Sequence, residues 1–247
     1  MDMRRKHLKK LFPIYLLIFI LTGCSVWSKV TYLWQGRFLK VDTNISKKRW
    51  ELSLDEKKLA VTFYKFDTEL DYVTNSLEKL SDSNFGVISQ KIISNRPWIL
   101  GVYLLEGTKD HVTLKKQVGQ KLCVEPDRLI KEYPDPSITS MTYLIYDNKM
   151  VLLNRQRKGE GEYNLTSIVL NIRKLAFYKC NLLQKFAVVA DKYIVIDNGI
   201  KRSNILEIKW NSLIKSKSKG IILTKRGNFY WMVRFLGKKP IFYLIKE

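Results

Sequence analysis

The stretch LAVTFYKFDTELDYVTNSLEKL, residues 59–80, decides how the rest of the chain can fold. Its apolar residues recur at alternating steps of four and three, which places them on one face of an α-helix. This seam consists of Leu59, Phe63, Phe66, Leu70, Val73, Leu77 and Leu80. Ser53 and Glu56 form a capping-box pattern, so we predict a helix of about 28 residues that starts near Ser53. Two arrangements would bury this seam: a coiled-coil dimer, or a long helix that lies along its own domain.

Two further features belong to this helical region, which we assign to residues 53–95. Asp82 and Ser83 interrupt the seam, and residues 84–94 then read as a shorter helix. The acidic side chains of the long helix lie two residues apart, on different faces, so we predict that they form its solvated side. These residues are Asp67, Glu69 and Asp71.

From Arg96 onward the chain changes to short alternating runs that are typical of β-strands joined by tight turns. We predict a first α+β module over residues 96–180. Its strands lie in RPWILGVYLLEG (96–107), HVTLKKQV (111–118), SMTYLIYDNKMVLLNRQ (140–156, two strands) and LTSIVLNI (165–172). Its short helices lie in EPDRLIKEYPDP (125–136) and IRKLAFYKCNLL (172–183).

Residues 181–247 show a similar but shorter series of strands and short helices, which we predict as a second α+β module. The sequence AVVADKYIVIDNGI (187–200) reads as a hairpin, and ILEIKWNSLIK (205–215) as a strand leading into a short helix. Three closing strands follow in GIILTK, NFYWMVRFLG and PIFYLIKE, and their tight turns predict antiparallel pairing. Arg234, within the second of these strands, reads either as an outward-facing residue or as a member of a buried ion pair.

The first residues of the chain are typical of an export signal. The basic stretch MDMRRKHLKK precedes LFPIYLLIFIL, whose length matches the apolar core of a signal peptide and is too short to span a bilayer. With LTGC at its end, the region resembles the signal and lipobox of bacterial lipoproteins. The resemblance implies that residues 1–23 are removed, that Cys24 carries the lipid and that residues 24–52 are a lipid-anchored lead-in. The alternative is an uncleaved anchor helix.

The resemblance also implies a location. Ser25 follows the lipidated cysteine and is not the aspartate that retains such proteins at the inner membrane. We therefore expect attachment to the outer membrane facing the periplasm, with the outer face of an inner or cell membrane as the alternative. The full chain has a net charge of +21, and without residues 1–23 it keeps 39 basic and 22 acidic residues, a net charge of +17. This charge suits an anionic membrane surface or simply a lysine-rich solvated surface, and an exported chain is not expected to bind nucleic acid.

Little in the sequence indicates catalysis, a metal or a cofactor. Beyond the signal the only histidine is His111, which rules out a site of several histidines, and no phosphate-binding glycine motif occurs. We therefore expect no enzyme and no cofactor, with a hydrolase that uses a carboxylate pair as the alternative. Cys123 and Cys180 form an even pair in an oxidising compartment, so they are either a disulfide or two buried free thiols.

The order of the elements resembles that of double Cache sensor domains, which contain two PAS-like modules beside a long N-terminal helix. The residues that carry the resemblance are RPWILGVYLLEG, AVVADKYIVIDNGI and the closing three strands. It implies an α+β fold in which a long N-terminal helix is followed by two small antiparallel-sheet modules. The function implied is small-ligand binding or sensing, and the alternative is a structural envelope protein that binds a protein partner.

A ligand site is expected in the first module, where a cation and several aromatic rings occur on neighbouring strands. These candidate residues are Arg96, Trp98, Tyr103, Tyr143 and Tyr146. The alternative is that the aromatic side chains fill the hydrophobic core.

Overall fold

The computed structural model describes residues 54–108, 110–132, 140–159, 161–224 and 227–247. The predicted signal peptide, Cys24 and the lead-in lie outside the described residues. Residues 54–247 form one compact unit with its own hydrophobic core, so this part of the chain can be tested by itself. No helix among the described residues is long and apolar enough to cross a membrane.

The long helix α1 runs over Leu54–Glu78 and has 25 residues. All seven residues of the apolar seam are at most 2% exposed within the single chain. The seam is therefore covered by the helix's own domain, which decides against the coiled-coil alternative. A shorter helix, α2, follows at Phe85–Ile93, close to its predicted bounds.

The first sheet has five strands in the order β2-β1-β5-β4-β3, and all neighbouring strands are antiparallel. A short helix, α3, lies at Pro126–Ile130 between β2 and β3. The strands are β1 Ile99–Thr108, β2 Val112–Gly119, β3 Ser140–Tyr146, β4 Lys149–Arg157 and β5 Glu162–Leu170.

The second sheet repeats this topology with the order β7-β6-β10-β9-β8, again antiparallel throughout. Helix α4, Ile172–Lys179, links the two sheets. Helices α5, Arg202–Leu206, and α6, Trp210–Ser216, lie between β7 and β8. The strands are β6 Phe186–Ala190, β7 Tyr193–Asn198, β8 Lys219–Thr224, β9 Gly227–Leu236 and β10 Lys239–Lys246. The predicted α+β class, a long helix followed by two antiparallel sheets, is confirmed.

The strand predicted at the start of ILEIKWNSLIK is wrong, because helix α5 reaches Leu206. Ile205 and Ile208 are both buried, whereas the intervening Leu206 is 70% exposed. A spacing of three between buried residues fits a helical turn, since a strand would alternate with a period of two.

Helix α1 contacts both sheets. In its first half, the ring of Phe63 stacks on Tyr243 of β10 at 4.7 Å and meets Phe186 of β6 edge-on at 5.3 Å. In its second half, the hydroxyl of Thr166 in β5 donates a hydrogen bond of 3.3 Å to the carbonyl of Leu77. We call the side of each sheet that faces α1 the inner face, and the opposite side the outer face.

The acidic side chains of α1 do not form a solvated side, contrary to the prediction. Asp67 is fully buried, and its Oδ1 lies 2.6 Å from Nη1 of Arg234 and accepts a hydrogen bond of 2.9 Å from the Tyr243 hydroxyl. Nη2 of Arg234 lies 2.7 Å from Asp71 Oδ1. Arg234 is therefore an ion-pair member, and Glu69 is likewise engaged by Arg96 at 2.5 Å. A sequence shows the face of a helix on which a carboxylate lies, but not the cation that another strand brings to it.

Candidate functional site: the groove between the two sheets

The five residues predicted to bind a ligand lie at three separate places. Arg96 and Trp98 precede β1 and contact α1 and α4. Tyr103 and Tyr146 lie on the outer face of the first sheet, whereas Tyr143 lies on the inner face. Tyr143 and Tyr146 are an odd number of residues apart in one strand, so their side chains necessarily point to opposite faces.

Arg96 and Trp98 belong to the attachment of the first module to α1. The guanidinium of Arg96 lies 3.8 Å from the centre of the Tyr72 ring. Trp98 is buried, with Lys179 Nζ 4.7 Å from its ring centre and the Tyr178 ring 5.6 Å away. Arg96 also forms an ion pair with Glu69, so its positive charge is balanced within the protein.

Tyr103 and Tyr146 are part of the outer hydrophobic cluster of the first sheet. The Tyr103 hydroxyl donates a hydrogen bond of 2.7 Å to the carbonyl of Gln120, and burial raises the pKa of Tyr103 to about 12. Tyr146 is half-buried beneath Arg128, whose guanidinium lies 5.0 Å from the ring centre. The alternative that these aromatic side chains fill the core is correct for Tyr103.

Two polar residues of the same outer face were not among the predicted site residues. Arg155 is 2% exposed and its guanidinium lies 4.9 Å from the centre of the Tyr163 ring. Ser167 is fully buried, and its hydroxyl makes no hydrogen bond to the described residues. The alternation of Val151, Leu153 and Arg155 in β4 is the signal that places Arg155 on the apolar face.

Tyr143 joins the two sheets. Its hydroxyl donates a hydrogen bond of 2.5 Å to the carbonyl of Pro240 and accepts one of 2.8 Å from the backbone N–H of Asp191. Burial raises the pKa of Tyr143 above its ordinary value, so the hydroxyl stays neutral. Lys239 adds a second link, since its Nζ donates to the Tyr143 carbonyl at 2.9 Å and pairs with Glu132.

The turn between β9 and β10 packs directly on the first sheet. Gly237 has φ +61°, and a side-chain carbon at this position would collide with the carbonyl oxygen of Met141 in β3. Glycine is therefore needed both for the left-handed backbone and for the close approach. Together with Tyr143 and Lys239, this contact fixes the edge strand β3 against the turns of the second sheet.

A groove of about 450 Å³ opens beside this junction. One side is the β3–β4 turn and the other is the β6–β7 hairpin with helix α5. The lining residues are Ile145, Asp147, Asn148, Lys192, Tyr193, Ile194, Val195, Arg202 and Leu206. Asp147 and Asn148 have φ values of 47° and 58°, as a two-residue hairpin turn of this kind requires.

Among the residues that line the groove, Val195 is buried, while Tyr193 and Leu206 are 56% and 70% exposed. Arg202 pairs with Asp197 at 2.5 Å, and Asp147 pairs with Lys149 at 2.9 Å. The charged side chains that line the groove are Lys192, Arg202 and Asp147, and the last two each have a partner outside the lining. This chemistry suits a small amphipathic molecule with an anionic end.

The predicted disulfide between Cys123 and Cys180 is not formed. Both thiols are free: Cys123 packs against the outer cluster of the first sheet, and Cys180 caps the C-terminal end of helix α4. Burial raises the pKa of both thiols, so they are protonated at neutral pH. The second alternative, two free cysteines, describes the structure.

No group of three metal-ligating side chains occurs among the residues that the structure describes. His111 is 70% exposed and its Nδ1 lies 3.2 Å from Asp127. The carboxylate of Asp127 accepts a hydrogen bond of 2.8 Å from the Val112 backbone, which, with His111, lowers its pKa. Asp127 thus joins helix α3 to the start of β2.

No protein-family model matches the chain, and no curated protein matches it in sequence. An extracellular ligand-binding receptor from Desulfohalobium retbaense is similar in structure over 80% of this chain, with 9% identity and a TM-score of 0.52. The similar region covers 41% of that receptor, so the chain spans less than half of its length.

Two chemoreceptor domains are more distant in structure. The periplasmic sensory domain of a Campylobacter jejuni chemoreceptor matches 77% of this chain and 88% of its own, with 11% identity and a TM-score of 0.40. The ligand-binding domain of an amino-acid chemoreceptor of Pseudomonas aeruginosa, in complex with GABA, matches 78% and 96%, with 9% identity and a TM-score of 0.41.

The class of fold follows from the topology together with the likeness to the Desulfohalobium receptor. Two five-stranded antiparallel sheets of identical strand order share one long helix, which is a tandem PAS-like, or Cache-like, α+β fold. The expected resemblance to Cache-like sensor domains is therefore supported at the level of the fold.

Proposed function

We propose that this protein is a non-catalytic, small-ligand-binding sensory module, held by a lipid on Cys24 at the outer membrane and facing the periplasm. The observation that carries the ligand-binding part is the groove between the two sheets. Its volume of about 450 Å³ lies within the range of known small-molecule sites. The fold gives independent support, since the Desulfohalobium neighbour is a ligand-binding receptor.

The ligand class follows from the lining of the groove. Lys192 and Arg202 can bind a carboxylate or another anionic group, while Tyr193, Ile194 and Leu206 cover an apolar body. The β3–β4 turn belongs to the first sheet and the rest of the lining to the second. A ligand that contacts both sides therefore stabilises the arrangement of the two modules, and this gives it a way to be sensed.

A thermal-shift experiment on residues 54–247 tests the groove. Octanoate, which has an anionic end and an apolar body, is expected to raise Tm in a concentration-dependent way, because a ligand that binds only the folded state stabilises it. Octylamine, of opposite charge, is expected to have no effect. The double variant Lys192→Gln/Arg202→Gln is expected to abolish the shift.

Lys201→Gln is the matched control, since Lys201 precedes Arg202 but does not line the groove. This variant should respond to octanoate as the parent does. The groove assignment fails if a panel of anionic amphipathic molecules leaves Tm unchanged, or if the double variant keeps the full response.

The anchoring part is tested with the full chain. Cys24→Ala is expected to accumulate as an unlipidated precursor and to leave the membrane fraction of a bacterial cell, because the thiol is the atom that accepts the lipid. Cys123→Ala serves as the control and should be processed normally. Processing and membrane retention of Cys24→Ala would contradict the proposal. Recovery of the parent only with inner-membrane markers on a density gradient would contradict the outer-membrane location.

A further inference from the structure

The segment RKLAFYKCNLLQK, residues 173–185, links the two modules and has an unusual composition. It contains four basic residues, Arg173, Lys174, Lys179 and Lys185, and no acidic residue. It includes most of helix α4 and the turn that leads into β6. We call its exposed surface the linker surface.

The linker surface exposes large apolar side chains that the core does not use. Helix α4 buries a different set, Ile172, Leu175 and Ala176. On the outside, Phe177 is 65% exposed and Tyr178 is 53% exposed. The turn that follows exposes Leu182 and Leu183, and Leu183 is 97% exposed.

The turn is held in place although its leucine is exposed. The side chain of Asn198 donates hydrogen bonds of 3.1 and 2.7 Å to the carbonyls of Leu182 and Gln184. The side chain of Asn181 accepts a hydrogen bond of 3.2 Å from the N–H of Leu183. The backbone N–H of Asn181 is tied to the carbonyl of Thr62 in α1 at 3.3 Å. Leu183 therefore projects from a fixed turn.

The charges on this surface are not balanced by nearby acids. Glu69 lies 3.7 Å from Lys179, but it is shared with Arg96. Lys174 and Lys185 are exposed and form no ion pair with the described residues. The surface thus presents cations next to aromatic and leucine side chains.

We propose that the linker surface docks on an anionic lipid bilayer. Aromatic and leucine side chains that project beside lysines are the chemistry by which proteins lie in a membrane interface. Each lysine near such a surface adds electrostatic attraction to the anionic headgroups, which salt screens. A projecting turn suits insertion between lipid headgroups, whereas a protein partner needs a broad complementary surface of roughly 1,000 Å² or more. Without the predicted signal peptide, residues 1–23, the chain still has 39 basic against 22 acidic residues, and this excess of positive charge favours the same partner.

Co-sedimentation with vesicles tests this proposal on residues 54–247, which have their own core and lack the predicted anchor. Binding to vesicles of mixed phosphatidylglycerol and phosphatidylcholine is expected, and binding to pure phosphatidylcholine is expected to be weak. The variant Phe177→Ser/Leu183→Ser should lower the partition coefficient about tenfold or more, because it removes the inserted apolar groups. The variant Lys174→Gln/Lys185→Gln should lower it by a similar factor and reduce its dependence on salt.

Val87→Ser is the matched control, because Val87 is 78% exposed but lies on α2, away from the linker surface. Its vesicle binding should equal that of the parent, and circular dichroism should show all variants folded. The proposal is overturned if the parent does not bind anionic vesicles, in which case a protein partner becomes the occupant of this surface. It is equally overturned if Phe177→Ser/Leu183→Ser binds as well as the parent. The octanoate response of the groove is a separate measurement, so either proposal can fail alone.

Discussion

The two sheets have the same strand order, yet they are attached to α1 by different chemistry. The second sheet uses a buried ionic network in which Asp67 is fully buried and binds both Arg234 and Tyr243. The first sheet uses the Arg96–Glu69 pair, whose side chains are 21% and 12% exposed, together with apolar contacts. Identical topology therefore does not imply the same dependence on charge.

The electrostatics of the buried network follow from its geometry. Burial raises the pKa of Tyr243 well above its ordinary value, and the negative charge of Asp67 raises it further. Burial by itself lowers the pKa of Arg234, but Asp67 and Tyr243 outweigh this, and the net shift is upward. Arg234 is therefore charged and Tyr243 neutral at physiological pH, so removing Asp67 leaves a buried cation without its closest partner.

The largest effect is expected from Asp67→Ala. Breaking a buried ion pair by removing one partner costs about 3–5 kcal/mol, so the free energy of unfolding in urea should fall by that amount. Asp71→Ala is the control, since Arg234 keeps its bond to Asp67, and should cost less. A loss below about 1 kcal/mol for Asp67→Ala would show that the second sheet does not depend on this charge.

A smaller effect is expected from Glu69→Gln in the attachment of the first sheet. The Arg96–Glu69 pair is partly open to solvent, so its loss should lower the free energy of unfolding by about 1 kcal/mol. Unfolding in urea at low and high salt measures this, and salt should reduce the difference between variant and parent. If Glu69→Gln were as damaging as Asp67→Ala, the contrast between the two attachments would be lost.

The smallest effect concerns Asp82, which joins the loop after α1 to the edge strand β2. A hydrogen bond of 2.8 Å from Lys115 and an ion pair of 2.6 Å with Lys116 lower its pKa to about 2. Because the folded pKa lies below the ordinary value, the stabilisation is complete above about pH 4 and is lost as the pH falls towards 2. Carboxyl NMR titration measures the pKa directly. A pKa of Asp82 near its ordinary value would show that Lys115 and Lys116 do not stabilise this contact.

Local patterns in the sequence predicted the helices and strands well, because periodicity is set by neighbours in the chain. The seam of α1 and the hairpin turns are of this kind. The sequence did not show that β5 lies between β1 and β4, or that β10 lies between β6 and β9. Such pairings join residues far apart in the chain and leave no periodic signal.

The candidate site was harder to predict from the sequence than the fold. Arg96, Trp98 and Tyr143 are residue types that bind ligands, but the structure uses them for internal contacts. The groove is lined by Lys192 and Arg202, which are ordinary turn and helix-start residues in the sequence. Their proximity to the β3–β4 turn depends on how the two sheets meet, and no local pattern encodes that.

The central position of β10 also sets the order in which the protein can assemble during synthesis. The first sheet has all its strands once residue 170 has been made, whereas the second cannot close before residues 239–246, because β10 joins β6 to β9. Between these two moments, Phe63 and Phe66 on α1 lack Tyr243, the ring against which both pack. The nascent chain thus carries an uncovered aromatic surface until β10 has been made, the interval in which a chaperone has most to protect.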